Sequence, residues 1–203
     1  MINKQKLLEM LPLIEGDYTI RAWERRDLDL LAQWPSYPFP YESFNYSHLG
    51  LMSHAERENH FQERESNPNR ITLILDHSCQ KGIGYLALVE IDWQNRKVGN
   101  MALRVAPDYC DKGTGTWFLG KVSDWCLDCG FVALDLDVAA SNPRAIRCYE
   151  KSGYRMRDEF WRDDEGLKHF DIHLSQFDFL RPHVRFDKSV PQLRFYWMEL
   201  RTP

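Results

Sequence analysis

The fold of this chain is decided by residues 98–116, VGNMALRVAPDYCDKGTGT. The first part has the apolar pattern of a strand, and a loop with two glycines follows it directly and opens a helix pattern. Glycines let the backbone come close to a ligand, and the first N–H groups of a helix attract anions. The stretch therefore predicts a strand, an anion-binding loop and a helix.

Two richer phosphate-binding motifs do not fit this loop. A P-loop has Gly-Lys-Ser/Thr at its end, whereas Gly115 is followed by Thr116 and Trp117. The dinucleotide-binding fingerprint needs a third glycine or alanine where Phe118 stands. The loop taken alone also leaves open a glycine-rich connection that binds nothing.

The next segment alternates helix, strand and helix. Gly130 ends the first helix, residues 132–138 alternate like a strand, Asn142 and Pro143 open the second helix, and Gly153 ends it. The first helix has its apolar residues on one face, at Phe118, Val122, Trp125, Cys126 and Cys129. A strand–helix–strand unit requires parallel strands.

Similar patterns on both sides extend this succession. They predict helices at 3–11, 27–34 and 54–65, and strands at 18–23, 70–76, 82–92, 154–161, 169–174 and 193–200. We expect one domain over residues 1–203, with an N-terminal helical extension (1–16) and an insertion at about 162–190 before the last strand.

Composition excludes several classes of protein. The 203 residues are 43% hydrophobic and 28% charged, which excludes disordered and low-complexity chains. A formal charge of -4 gives no reason to expect a nucleic-acid partner, and no apolar run approaches the ~20 residues that span a bilayer. The N-terminus lacks the pattern of a signal peptide, and an odd number of cysteines, five, fits a reducing compartment. We expect a cytoplasmic protein that binds neither nucleic acid nor membrane.

Two stretches, 110–116 and 140–154, resemble the two signatures of the GNAT superfamily of N-acetyltransferases. The first signature is Arg or Gln, two residues, Gly, one residue, then Gly or Ala, and this chain departs from it at Cys110. The second is matched at Asn142, Ala145, Tyr149, Gly153 and Tyr154. The resemblance covers about 17–161 and 192–201. It implies an α/β fold with a mixed, mostly antiparallel sheet, a splayed parallel pair (98–105 and 131–139) and helices on both faces.

The resemblance also implies acetyl-CoA as the cosubstrate, with no metal. Backbone groups of Leu103 and Val105 should pair with the pantetheine arm, and Asn142 and Tyr149 should face its sulfur end. The pyrophosphate should be held by the loop residues Cys110, Asp111, Lys112, Gly113, Thr114, Gly115 and Thr116.

Acetyl transfer by direct attack needs a neutral amine, a donor for the oxyanion and a proton for the departing thiolate. The Val105 N–H is the candidate oxyanion donor. Tyr149 is the candidate general acid, because the tyrosine of this helix commonly has that role in the family; a purely structural tyrosine is the alternative.

The general base is Asp137, acting through a water, or one of two rivals, Glu42 and Glu90. Asp137 stands where the ribosomal-protein alanine acetyltransferases of the family carry a glutamate. Asp135 and Asp137 share one strand face, so an exposed or salt-bridged pair is the alternative.

The resulting hypothesis is an N-acetyltransferase that acts on a primary amine, in a small molecule or at a protein N-terminus. Its alternatives are a non-catalytic acyl-CoA-binding module of the same fold and a transferase of a longer acyl group. The oligomeric state stays open, a homodimer included.

Some residues have two interpretations. For Cys126 and Cys129, core packing is favoured over metal binding. For Cys148, a structural role is favoured over nucleophilic catalysis. For His169, Asp171 and His173, a solvated strand face is favoured over a metal site. A segment of aromatic residues between 35 and 46 lines an acceptor pocket or packs on the sheet edge. Its members are Tyr37, Phe39, Tyr41, Phe44 and Tyr46.

Overall fold

The computed structural model describes residues 2–41, 48–169 and 173–202. The helices in this part are α1 (Lys4–Leu8), α2 (Asp27–Ala32), α3 (His48–Leu51), α4 (His54–Ser66), α5 (Thr114–Asp128) and α6 (Pro143–Lys151). The strands are β1 (Leu13–Glu15), β2 (Tyr18–Ala22), β3 (Ile71–His77), β4 (Gln80–Asp92), β5 (Lys97–Val105), β6 (Ala133–Ala139), β7 (Arg155–Asp163), β8 (Val184–Asp187) and β9 (Val190–Arg201). None of the described helices is long and apolar enough to cross a membrane.

The larger of two compact units contains the residues up to Leu134 together with Arg201 and Thr202. Its strands are ordered β1-β2-β3-β4-β5, and all of these neighbours are antiparallel. The start of β6 pairs in parallel with the start of β5, at Lys97 with Ala133 and at Val98 with Leu134. The predicted mixed, mostly antiparallel sheet with one parallel pair is therefore confirmed.

Helices cover both faces of this sheet. On one face, a Cβ atom at Gly84 would lie 2.9 Å from the Leu75 Cβ and 3.1 Å from the Phe118 ring, so this glycine lets α5 pack directly on β4. On the other face, Tyr85 and Ile74 pack in a core that includes Leu28 of α2. Adjacent residues of β4 thus serve opposite faces, as the period of two in a strand requires.

The smaller unit, Asp135–Leu200, contains α6 and the strand order β6-β9-β7, with β8 paired to β9. Within the described residues β7 pairs on one side alone, with β9. Most of the side chains of β7 are exposed, and six of its nine residues are charged.

Local signals predicted most helix ends correctly. Ser53 forms a capping box with Glu56, and Asn142 caps α6 through the N–H of Ala145. Gly130 and Gly153 follow α5 and α6 with φ of +93° and +91°, a conformation that glycine adopts without strain.

Several elements differ from the sequence prediction. The short strands β1 and β8 were not predicted, and α1 is shorter than 3–11. The predicted strand at 169–174 is wrong where the structure describes it, because 165–169 is a 3-10 helix and 173 lies in a turn. Residues 170–172 lie outside the described residues. The single-domain boundary and the insertion at 162–190 stay predictions.

Candidate functional site

The edge of β5 opposite β4 carries the two residues predicted to hold the pantetheine arm. The Ala106 N–H donates to the Ile83 carbonyl at 2.8 Å, next to the pair Gly84–Val105 in the β4–β5 register. Because hydrogen-bonded and non-bonded pairs alternate in an antiparallel ladder, Leu103 and Val105 direct their N–H and C=O groups away from β4. Their backbone groups therefore lie on a common edge.

The carbonyl of Val105 is already engaged. The Tyr37 hydroxyl donates to it at 2.6 Å, in a buried hydrogen bond, and the Cys110 Sγ lies 3.5 Å from the same oxygen. Both contacts engage the C=O of Val105. Neither contact involves the Val105 N–H, which is the group predicted to stabilise the oxyanion. Cys110, which replaces the usual Arg or Gln, directs its thiol to the end of β5.

The loop between β5 and α5 has the backbone form of an anion site. Asp111 and Gly113 have φ of +57° and +82°, and Gly113 is the N-cap of α5 without a side-chain cap. A Cβ atom at Gly113 would meet no atom within 4 Å, so the space in front of the helix is open. The Trp117 N–H donates to the Gly113 carbonyl at 2.9 Å, which closes the first turn. In a helix the first N–H groups, here those of Thr114 and Gly115, have no carbonyl one turn earlier to donate to.

Side-chain contacts hold this helix start in place. The Trp117 indole packs on Tyr18 with ring centroids 4.6 Å apart, and its Nε1 donates to Glu15 at 3.2 Å. Lys121, one turn later, forms an ion pair with the same carboxylate. The bonds from Lys121 and Trp117 keep the pKa of Glu15 below its ordinary value, so the anchor is charged at neutral pH.

The candidate catalytic residues Tyr149 and Asp137 belong to the smaller unit. Tyr149 is buried, and its carbonyl accepts from the N–H groups of Ser152 and Tyr154. The side-chain Oδ1 of Asn142 accepts from the Ala145 N–H at 3.1 Å, and the side-chain N–H₂ group of Asn142 is a donor. Asp137 is ion-paired, with its Oδ2 2.6 Å from Arg162.

Of the two alternative general bases, Glu90 and Glu42, the structure describes Glu90. Glu90 is exposed and has a φ of +56°, opposite Gly99, where a Cβ atom would lie only 3.0 Å from that of Glu90. Such backbone strain costs on the order of 1–3 kcal/mol and often accompanies function. Glu42 lies outside the described residues.

The remaining candidates are placed as follows. Cys126 is fully buried, and burial raises the pKa of its thiol; the Cys129 Sγ contacts the Met10 Sδ at 3.5 Å. The described residues do not include Phe44, Tyr46, Asp171 or the side chain of His169. No group of three or more metal-ligating side chains is found among those that the structure describes.

Sequence reasoning missed a cluster of basic side chains on the sheet face that α2 and α4 cover, which we call the arginine cluster: His60, Arg64, Arg70 and Arg104 around Tyr85. Arg70 Nη2 donates to the Tyr85 hydroxyl at 2.8 Å, and the Arg104 guanidinium lies 5.8 Å from the centre of the Tyr85 ring. Arg64 Nη1 lies 2.9 Å from His60 Nδ1. The spacing of four residues between His60 and Arg64 places both on one face of α4. From the sequence alone, this pattern predicts only a polar helix face.

Comparison with known proteins identifies relatives of this arrangement. Residues 18–154 match the Acetyltransferase (GNAT) family. A curated relative, spermidine N(1)-acetyltransferase of Vibrio cholerae, is 25% identical over 156 residues, which cover 70% of this chain and 80% of the relative.

Solved structures of Vibrio cholerae spermidine N-acetyltransferase have a similar fold. One, in complex with CoA and spermine, superimposes with a TM-score of 0.65 at 19% identity, covering 92% of this chain and 96% of the other. A dodecameric structure in an intermediate state gives 0.63 at 18% identity, covering 92% and 95%.

Proposed function

We propose, because this chain belongs to the GNAT family of acetyltransferases, that it transfers an acetyl group from acetyl-CoA to a primary amine of a small molecule by direct attack. Membership in this family makes the chain an acyltransferase, which sets aside the non-catalytic binding module. The observation that carries the choice of cosubstrate is the open helix start at Gly113, directly after β5.

In this proposal the larger unit binds acetyl-CoA. The N–H groups from Asp111 to Thr116 donate to the pyrophosphate, where the helix dipole favours negative charge. Leu103 and the Val105 N–H supply the backbone edge for the pantetheine arm. The Tyr37 bond to the Val105 carbonyl fixes the orientation of that peptide group.

The chemical step moves one acyl group and two protons. The amine nitrogen attacks the thioester carbon, the carbonyl becomes an oxyanion that the Val105 N–H stabilises, and the C–S bond then breaks. Tyr149 gives its proton to the departing thiolate, and Asp137 takes the proton of the amine through a water. The ion pair with Arg162 orients that carboxylate.

Polyamines are a second candidate for the acceptor, favoured by the names of the relatives. Because one related structure is a dodecamer, an oligomer larger than a dimer is a further hypothesis for this chain.

Release of free CoA from acetyl-CoA, measured over a panel of primary amines, tests the function. We expect release with at least one amine, and a higher melting temperature of the protein with CoA present. Propionyl-CoA and butyryl-CoA in the same assay test the longer-acyl alternative. Binding of CoA without release for any amine would refute the proposed activity.

A further inference from the structure

The guanidinium group of Arg162 lies in a site made of one carboxylate and two aromatic rings. Its Nη2 donates to the Asp137 Oδ2 at 2.6 Å. Its central carbon lies 4.2 Å from the centre of the Phe195 ring and 5.3 Å from that of Phe160. A carboxylate and the face of an aromatic ring both attract positive charge, so these three residues together form a cation site within the smaller unit.

The register of β7 and β9 explains why these groups meet. Phe160 pairs with Phe195, and Arg162 follows two residues later on β7, so the three side chains share one face of the two strands. The two rings are stacked, with centroids 5.7 Å apart. On β6, Asp135 belongs to the same strand face as Asp137. Two carboxylates on one strand face favour a cation over an anion.

A further arginine–ring contact of this unit lies on the opposite face of β7. Arg185 lies 4.4 Å from the centre of the Trp161 ring, and Trp161 alternates with Phe160 along the strand. This contact includes no residue that is proposed for the reaction. The contact of Arg162 differs, because its carboxylate partner is the candidate general base.

The carboxylate of the site is held in the fold, whereas the guanidinium is the end of a long side chain. The Asp137 side chain is 22% exposed and the Arg162 side chain 47%. Exposed ion pairs contribute little to stability, and a long side chain regains rotamer freedom when it is released. A cation from solution can therefore replace the guanidinium at a small cost in free energy.

We propose that Arg162 occupies the position at which the ammonium group of the acceptor binds, and that the acceptor displaces it. The ammonium group then lies between the Asp137 carboxylate and the Phe195 ring. This inference rests on the proposed acetyl transfer and on the role of Asp137 in it. The acceptor class is an alkyl amine whose apolar stem packs on the rings of Phe160 and Phe195.

The exchange suits the proposed chemistry. An alkyl amine has a pKa of about 10.4 in water, so it arrives as a cation and must then lose a proton. An arginine keeps its proton, so while Arg162 is bound its N–H group is a permanent donor to one oxygen of Asp137. A planar guanidinium is broader than an ammonium group, so its departure gives space for the ammonium and for the water that carries the proton to Asp137.

Arg162→Gln tests the displacement, because it removes the competing charge and keeps a polar side chain. We expect the KM for an accepted alkyl amine to fall by about 3- to 30-fold with kcat little changed, since a self-occupied site has a raised apparent dissociation constant. Arg162→Lys retains the charge and should retain most of the competition. Arg157→Gln, on the same strand and paired with Glu199 at 2.9 Å, is the matched control. An unchanged or higher KM in Arg162→Gln would overturn the proposal.

Phe195→Leu tests the aromatic part of the site. In the Arg162→Gln background it should raise the KM for the amine by about 3- to 10-fold with kcat little changed, because the cation–π attraction is lost. Phe186→Leu in the same background, at an exposed phenylalanine of β8, is the matched control. Equal KM values in the two double variants would refute the binding of the ammonium group at Phe195.

Butylamine hydrochloride tests the site without turnover, with sodium chloride at the same concentration as the reference. It should raise the melting temperature of Arg162→Gln by more than that of the unaltered protein, because a ligand of the folded state stabilises it. This result is expected even if no amine is acetylated, in which case the proposed function fails and the cation site stands. Equal shifts in the two proteins would refute the site.

Discussion

The Tyr37 hydroxyl donates a buried 2.6 Å hydrogen bond to the carbonyl oxygen of Val105. It joins the segment after α2 to the last residue of β5, where the sequence predicts the acyl-CoA arm to bind. One aromatic residue of the 35–46 segment is therefore part of the structural support of the candidate site.

Tyr37→Phe should lower the free energy of unfolding by about 1–3 kcal/mol, because it leaves a buried carbonyl without its main donor. Urea unfolding measures the change. Tyr109→Phe, which removes an exposed 3.3 Å bond to Gln80, is the control and should change stability by less than about 0.5 kcal/mol. Equal changes in the free energy of unfolding for the two variants would show that the buried bond to Val105 stabilises the fold no more than the exposed bond to Gln80.

Replacing both Gly113 and Gly115 with valine should abolish the rise in melting temperature that CoA produces. The side chains would fill the open space before α5, and Gly113 has a φ of +82° that valine adopts only with strain. Thermal unfolding with and without CoA is the measurement. Gly120→Val, in the same helix and with no atom within 4 Å of the added Cβ, is the matched control. A preserved shift in the double variant would rule out this loop as the pyrophosphate site.

Tyr149→Phe should lower kcat by about 10²–10⁴-fold and leave the KM for acetyl-CoA nearly unchanged, since it removes one proton donor and little volume. Steady-state kinetics with an accepted amine provide the test. An intact kcat with a raised KM would assign Tyr149 to binding.

Asp137→Asn should lower kcat/KM by a similar factor and remove the acidic limb of its pH profile, if the carboxylate is the base. Asp187→Asn, at an exposed aspartate of β8, is the control. A profile that keeps its acidic limb would leave Asp137 with a purely structural role in the ion pair with Arg162.

The free energy of unfolding should fall as the pH drops from about 6.5 towards 4. The pKa of His60 is about 4 in the folded protein and near its ordinary 6.5 in the unfolded chain, so the unfolded chain binds more protons in that window. Urea unfolding at pH 7 and pH 5 should show a smaller loss for His60→Gln. An NMR titration of His60 that gives a pKa near 6.5 would contradict the assignment, and Arg64→Met should move it upward.

Local signals explain which parts of the fold were predictable. The caps at Ser53 and Asn142 and the glycines after α5 and α6 act within one or two turns, so the sequence alone shows them. Strands β1 and β8 have three and four residues, and they exist because β2 and β9 lie beside them. No periodicity can develop over so short a span.

The candidate site divides in the same way. The loop from Cys110 to Thr116 is contiguous, and its signature is visible in the sequence. The arginine cluster comes from α4, the residue before β3, and both β4 and β5. The register that sets Tyr85 beside Arg104 is a property of the sheet, so no spacing along the chain predicts it.

The charged edge strand β7 has a consequence for the behaviour of the protein in concentrated solution. An unpaired strand edge is a template for the addition of another chain, and apolar edges promote amyloid-like growth. The exposed charged side chains of Arg157, Asp158, Glu159 and Arg162 disfavour such addition, because another strand would have to remove them from water. Replacing these residues with apolar ones would promote aggregation through this edge. Variants meant for crystallisation should therefore keep the charged residues of β7.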